Sequence, residues 1–343
     1  MSLIRTTNQI DRLMPLAEAE AIAEASPPGS VQSQFLQALP RAEYAQIFSL
    51  AEQVADALGC WAARYPLIRR VRVRPLSLSV VAAAPFDTLD ALITTAKVSL
   101  WVFTLDDLFD EEGLSAGELV RRARHYRQIT RGEFSGPWDD SLAVALADVR
   151  RDLVRFPLFA LLKDEWSKAL IGTIDGMIRE QYWRRQLRRH GNKALPSYEA
   201  YVANGRYSIG GPPHIWSALI TTNDPSTLDH LDLLRSMEEI ASRCVRLAND
   251  LRSYGKEINE EKINSLLLVG RNLAERGLPE YARHDRAETF IRGEIARGLA
   301  DLSELHARAH TQTKHPETAI ARIAHFVCEF YTYYDYHTFQ SWR

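Results

Sequence analysis

LDALITTAKVSLWVFTLDDLFD, residues 89–110, decides the fold. From Leu89 to Leu108 it is rich in apolar residues and holds no Gly or Pro, so it reads as a buried helix. On that helix Asp106 and Asp110 share a face at i and i+4, while Asp107 projects about 100° round from Asp106. Carboxylates gathered at a helix C-terminus oppose the macrodipole and repel one another. A bound cation would offset both costs; without one, the same residues are a solvated acidic helix end. The segment alone leaves both readings open.

A second cluster, NDLRSYGKE at residues 249–257, mixes ligand types at fixed spacing. Asn249, Ser253 and Glu257 recur at i, i+4 and i+8, so a carboxamide, a hydroxyl and a carboxylate line one stripe of a helix. One negative charge and two neutral oxygens suit Mg²⁺, which keeps some waters and shares phosphate oxygens with a substrate. Lys256 lies beside the stripe, within reach of a phosphate. The bland alternative is a polar helix face, which does not explain why all three positions offer oxygen. Gly255 inside the pattern costs about 1 kcal/mol relative to Ala, which points to a close approach or a looser helix there.

Helical periodicity runs through the rest of the chain with almost no strand signal. Helices are expected near residues 42–64, 87–111, 115–130, 139–154, 157–189, 196–206, 212–222, 226–256, 260–277, 284–309 and 315–338, so the fold class is all-α. Val71 to Val81 alternates and is open to reading as a strand. Pro27-Pro28-Gly29 divides a flexible N-terminal arm, residues 1–34, from a single domain over 35–343.

Composition narrows the function classes. Hydrophobic residues at 46% support a substantial core, and a formal net charge of −2 without a dense basic block argues against nucleic acid as a partner. Cys60, Cys244 and Cys328 fit no zinc or redox spacing and read as buried thiols. The N-terminus has no apolar run of signal-peptide type, and no stretch approaches a membrane span, so a cytoplasmic location is expected.

Taken together, the two clusters resemble the motifs of class I terpene synthases. Asp106, Asp107 and Asp110 look like that family's aspartate-rich motif, and Asn249, Asp250, Ser253, Lys256 and Glu257 match the bacterial NDxxSxxKE pattern letter for letter. The second motif is highly specific; the first alone is not. In NGRYSIGG, residues 204–211, Arg206 resembles the family's diphosphate sensor, Ile209 its linker and Gly210 its effector. Gly-Gly-Pro-Pro at Gly210 to Pro213 interrupts any helix there and frees backbone carbonyls, whereas without the metal motifs it would be an ordinary loop with a capping Arg.

The chain also departs from the bacterial pattern. A C-terminal Arg-Tyr pair that binds diphosphate in many bacterial members is absent, and FYTYYDYH at residues 330–337 looks closer to the ending of plant-type enzymes. Arg70, Arg72 and Arg74 lie about where plant-type enzymes carry an upstream arginine motif, yet they read first as a solvated basic strand or loop.

The resemblance implies a helical bundle around a deep apolar cavity with both metal motifs at its mouth. It implies Mg²⁺, three ions in the family, held by Asp106, Asp107, Asp110, Asn249, Ser253 and Glu257, with Arg206 and Lys256 on the diphosphate of a prenyl substrate. Asp106, Arg206 and Gly210 would then carry catalysis. Phe86, Trp101, Phe103, Ile209, Trp216, Phe330 and Tyr334 are the expected cavity lining, although aromatic residues at helical spacing are more often ordinary core. The implied reaction is ionisation of the diphosphate followed by cyclisation or rearrangement of the cation. A C20 substrate is favoured slightly over C15, and homodimers occur in the family. The alternatives are a chain-elongating trans-prenyltransferase, against which NDLRS stands in place of a second DDxxD, and a non-enzymatic helical scaffold or lipid-binding module.

Overall fold

The computed structural model describes Val31 and residues 33–110, 115–133 and 140–339, with Asp110 described by its backbone alone. Its elements in chain order are α1 (Gln34–Gln37), α2 (Arg41–Ala62), α3 (Val73–Ala83), α4 (Leu89–Asp110), α5 (Ala116–Arg131), α6 (Ser141–Val154), α7 (Phe159–His190), α8 (Tyr198–Ser208), α9 (Gly211–Thr222), α10 (Leu231–Asn259), α11 (Ser265–Glu275), α12 (Glu280–Arg308) and α13 (His315–Tyr333). Among the described residues there is no strand, and the fold is all-α. Within the same residues no helix is long and apolar enough to cross a membrane.

Local chemistry explains where the helices begin. Ser115, Asp140, Ser197 and Asn264 each accept a hydrogen bond from a backbone N–H of the first turn they precede, at 2.9–3.1 Å. Each such cap contributes about 1 kcal/mol. The last of them corrects the expected helix at 260–277. Glu261 adopts a φ of 54°, which separates α10 from α11, and α11 starts only after the Asn264 cap.

The alternating stretch Val71 to Val81 is helical. A 3-10 turn at Arg70–Arg72 leads into α3, where every residue from Pro75 to Ala83 is buried. A helix buried on all sides carries no amphipathic period, so its sequence hides its geometry. The hydroxyls it contains are satisfied within the helix, Ser77 donating to the Val73 carbonyl at 2.8 Å and Ser79 to that of Pro75 at 2.9 Å.

Most of the expected flexible arm lies outside the described residues, and the part that is described is tied down. Val31 and Ser33 are buried, and the Glu329 carboxylate on α13 accepts from the Gln34 and Phe35 amides and the Ser33 hydroxyl.

Helix α9 occupies the centre of the bundle, packed against α4, α7, α10 and α13. Its start is the Gly-Gly-Pro-Pro break. Gly210 has a φ of 79°, and a Cβ built there would lie 2.4 Å from Val102 Cγ1 on α4. Both the backbone conformation and the contact therefore require Gly. Gly255, by contrast, meets nothing within 4 Å, and α10 runs through it to Asn259, so neither a close approach nor a loosened helix occurs there.

Gly210→Ala is expected to lower the unfolding free energy by about 1–3 kcal/mol, through left-handed strain and the clash with Val102. Chemical denaturation against Gly255→Ala, expected to be neutral or stabilising, measures the difference.

Candidate active site

The C-terminal turns of α4 and the C-terminal half of α10 face each other across a cavity of about 450 Å³. Asp106 stands on the α4 wall, half-buried; Asn249, Ser253, Lys256 and Glu257 stand on the α10 wall. The two sequence clusters are therefore brought to one cavity. The side chain of Asp110 lies outside the described residues.

Asp107 lines the cavity too, but it is occupied by arginine. Arg72 Nη2 lies 2.6 Å and Arg69 Nη1 3.5 Å from its Oδ1. The side chain of Arg72 is 1% exposed, and it also donates to the Phe103 carbonyl at 3.0 Å and reaches His337 Nδ1 at 2.9 Å. Burial, and then the neighbouring guanidinium, lower His337 to about 4, so the ring is neutral and accepts from Arg72. Arg72 thus corrects the reading of Arg70, Arg72 and Arg74 as a solvated segment. Arg70 is exposed and Arg74 pairs with Glu52 at 3.3 Å, while Arg72 clamps the acidic end of α4 to the C-terminal segment. Asp335, Tyr336 and His337 supply the third wall of the cavity, where the Arg-Tyr pair is missing.

On α10 the donors are held by their neighbours. Ser253 donates to the Asn249 carbonyl at 2.8 Å, Asn249 is hydrogen-bonded to the Tyr331 hydroxyl, and Glu257 Oε2 accepts from Asn264 at 2.8 Å. Burial, followed by the nearby Asp250, pushes Glu257 up to about 7. Asp250 itself is fully buried and is no part of the donor stripe. It pairs with Arg246 Nε at 3.0 Å, accepts from the Tyr201 hydroxyl at 3.0 Å and from the Ser265 amide at 3.2 Å.

No group of three His, Cys, Asp or Glu converges on a single point among the described residues. The donor set is a different kind, with one carboxylate from α4 facing a carboxamide, a hydroxyl and a carboxylate from α10. Hard oxygens of this mixture fit a divalent cation, whose charge would favour the ionised form of the buried Glu257 carboxyl.

Arg206 stands at the helix break, in the last turn of α8, with its side chain engaged outside the cavity lining. It pairs with Glu239 at 2.8 Å, donates to its neighbour Tyr207 and covers that ring at 4.5 Å, and it does not line the cavity. Arg246 does, three residues before Asn249, held by Glu180 at 3.2 Å and by Asp250. The signal for it was the continuation of the α10 stripe one turn upstream. Arg184 and Lys262 also line the cavity.

Behind the polar mouth lie two apolar chambers. The first, about 70 Å³, shares Val102, Phe103, Ile209, Tyr331 and Tyr336 with the mouth and is bordered by Gly210 and His214. The second, about 10 Å³, shares Val80, His214, Ile215 and Ile323 with the first and ends at Asp87 and Thr95. Of the expected lining, Phe103 and Ile209 are present. Trp101 instead donates to the Leu142 carbonyl at 2.8 Å within the core, Trp216 is buried against Glu238, and Phe86 stacks on His315 at 3.9 Å. Phe330 and Tyr334 pack with Phe339 behind the wall that Tyr331 and Tyr336 form.

Comparison with known proteins gives the family and the fold. The family model described as terpene synthase family 2, C-terminal metal binding, matches residues 97–297. The chain is 28% identical over 258 residues to (+)-T-muurolol synthase, (2E,6E)-farnesyl diphosphate cyclizing, of Roseiflexus castenholzii, covering 72% of this chain and 76% of the relative. To ent-pimara-9(11),15-diene synthase of a Streptomyces strain it is 27% identical, covering 64% and 74%. It spans only 35% of the rice ent-isokaur-15-ene synthase, to which it is 26% identical over 82% of its own length. Among solved structures, 2-methylisoborneol synthase of Streptomyces coelicolor in complex with Mg²⁺ and geranyl-S-thiolodiphosphate shares the fold at a TM-score of 0.66 and 15% identity, covering 84% and 92%.

Two measurements check the site. Arg72→Met leaves the Asp107 carboxylate buried without its main partner and should cost about 3–5 kcal/mol in chemical denaturation, with faster amide exchange over residues 334–339. At the inner end, burial raises Asp87 to about 7, against an opposing hydrogen bond from Thr222. Its folded-state carboxyl keeps a proton that the unfolded chain has lost, so the penalty is absent below the ordinary carboxylate range and complete above about 7. Asp87→Asn should therefore match the parent protein at pH 4 and exceed it progressively toward pH 7.5, by at most ~4 kcal/mol.

Proposed function

The chain belongs to the terpene synthase family, and from that membership we propose that it ionises an allylic prenyl diphosphate with Mg²⁺ and converts the cation into a cyclic or rearranged terpene. The observation that carries the proposal is one cavity whose mouth holds oxygen donors and cationic side chains and whose inner end is apolar. In this reading Asp106 and Asp110 on α4 and Asn249, Ser253 and Glu257 on α10 hold the Mg²⁺, three ions by resemblance to the family. When bound, Mg²⁺ supplies Lewis-acid stabilisation of the leaving diphosphate.

The chain's own residues do the rest. Arg246, Lys256 and Lys262 line the mouth and give charge-assisted hydrogen bonds to diphosphate oxygens. Arg246 takes the place expected of Arg206, whose guanidinium is turned to Glu239. Asp107, clamped by Arg72 and Arg69, sets the rotation of the α4 terminus and thereby the direction of Asp106. Gly210 lets backbone approach the chamber where a side chain would collide with Val102. Phe103, Tyr331 and Tyr336 exclude water and turn apolar ring surface toward the cation, worth up to about 2 kcal/mol each when desolvated.

A C20 substrate, geranylgeranyl or a bicyclic diterpenyl diphosphate, is the first choice and C15 farnesyl diphosphate the second. The relatives named for ent-pimaradiene and ent-isokaurene support the first, and the T-muurolol synthase supports the second.

The purified protein should release diphosphate and a hydrocarbon or alcohol from at least one of these substrates when Mg²⁺ is supplied, and Asn249→Ala should slow that release by ~10²-fold or more. Turnover of none of them, with Asn249→Ala indistinguishable from the parent, would sink the proposal. Consumption of isopentenyl diphosphate would replace it with chain elongation.

A further inference from the structure

We propose that His214 Nε2 accepts the proton that ends the cation sequence, so that the product leaves as an olefin. The proposal rests on the prenyl diphosphate reading above and adds to it a base on the protein.

His214 lies in the first turn of α9 and lines both apolar chambers. Its ring is oriented from α4, where Ser99 Oγ lies 2.8 Å from Nδ1 and 3.2 Å from the Thr95 carbonyl. A serine hydroxyl has one proton. Donated to the Thr95 carbonyl, it leaves Ser99 Oγ as the acceptor of the Nδ1–H, and the imidazole lone pair falls on Nε2. Nε2 makes no hydrogen bond to any described residue, and His214 lines the first chamber. Burial also lowers His214 to about 4, which keeps the ring neutral and the lone pair available near neutral pH.

No other titratable side chain of that kind lines this chamber among the described residues. Among the residues described around the first chamber, His214 is the one His, Asp, Glu, Lys or Arg side chain; the remaining polar groups are serine and tyrosine hydroxyls. Ser79 and Tyr336 bond each other at 2.6 Å, and Tyr331 is engaged by Asn249. Asp87 borders only the terminal pocket, where it accepts from Thr222 at 3.0 Å. With the diphosphate at the mouth, the inner part of the hydrocarbon reaches the first chamber, whose roughly 70 Å³ takes only a portion of it.

The step balances without a co-reactant. The C–H bond beside the cationic carbon breaks, its electron pair becomes the π bond of the alkene, and the proton bonds to Nε2. The imidazolium keeps its Nδ1–H donated to Ser99 Oγ, whose own O–H goes on donating to the Thr95 carbonyl, so the new charge is met by an aligned pair of hydrogen bonds. When product leaves, the proton passes to diphosphate or to entering water.

His214→Gln keeps an amide that can bond Ser99 but removes the base, and His214→Phe removes both. With the parent's substrate and Mg²⁺, the products of both variants are counted per diphosphate released, so that any change in overall rate is divided out. The share of the parent olefin should fall about tenfold or more, replaced by alcohols or by olefins deprotonated at other carbons. Ser99→Ala, which frees the tautomer while keeping the imidazole, should shift the same ratio less, and its melting curve shows whether the chamber is intact. A His214→Gln product profile identical to the parent's would overturn the proposal, as would a parent product that is chiefly an alcohol. A parent protein that releases no diphosphate from any substrate would instead remove the reading of the whole site.

Discussion

The buried ion pair between Arg246 and Asp250 is the contact on which the site depends. Both are on α10, one turn apart, and both are inside the protein, where unpaired charges cost several kcal/mol each. Asp250 is satisfied by groups from three helices: the guanidinium from α10, the Tyr201 hydroxyl from α8 and the Ser265 amide at the start of α11. Arg246 extends the network to Glu180 on α7. Such a network adds little net stability compared with well-packed apolar residues, but it admits only one rotation of α10. With Asp250 fixed toward α8 and α11, the adjoining stripe of Asn249, Ser253 and Glu257 can face only the cavity.

This explains why the second cluster was the most readable part of the sequence. Its oxygens repeat at helical spacing, and helical spacing is what one sequence can show. The role of each charged neighbour was less legible, because that depends on rotation and not on identity. Arg206 and Arg246 are both arginines within a few turns of the site in space, and only packing decides that Glu239 draws the first away while Asp250 and Glu180 hold the second in. Arg72 was misread for a similar reason. A basic run beside an alternating segment looks solvated, yet α3 is buried on all sides and carries the Arg72 guanidinium into the protein to meet Asp107.

The aromatic lining was the least legible element. Six rings near the motifs were candidates, but a ring's distance along the chain from a motif says nothing of which face of its helix it occupies. Trp101 and Trp216 point into the core, where their N–H groups find partners, as buried indoles generally must. The rings at the chamber are instead Phe103, one turn before Asp106, and Tyr331 and Tyr336 from the end of the chain. The tyrosine-rich ending, set aside in the sequence as a departure from the bacterial pattern, is therefore a wall of the site.

That wall joins the two halves of the cavity. Tyr331 is hydrogen-bonded to Asn249 at the mouth and borders the apolar chamber, while Tyr336 borders both and is held to Ser79 of α3. Phe103 sits at the same junction with the Arg72 guanidinium 4.8 Å from its ring centre, so one side of the ring is already engaged by a cation. A change at the mouth that moves Asn249 must move Tyr331, and with it the contour of the chamber. Polar grip and apolar shape are consequently set by the same side chains, and a substitution chosen to alter one will register in the other.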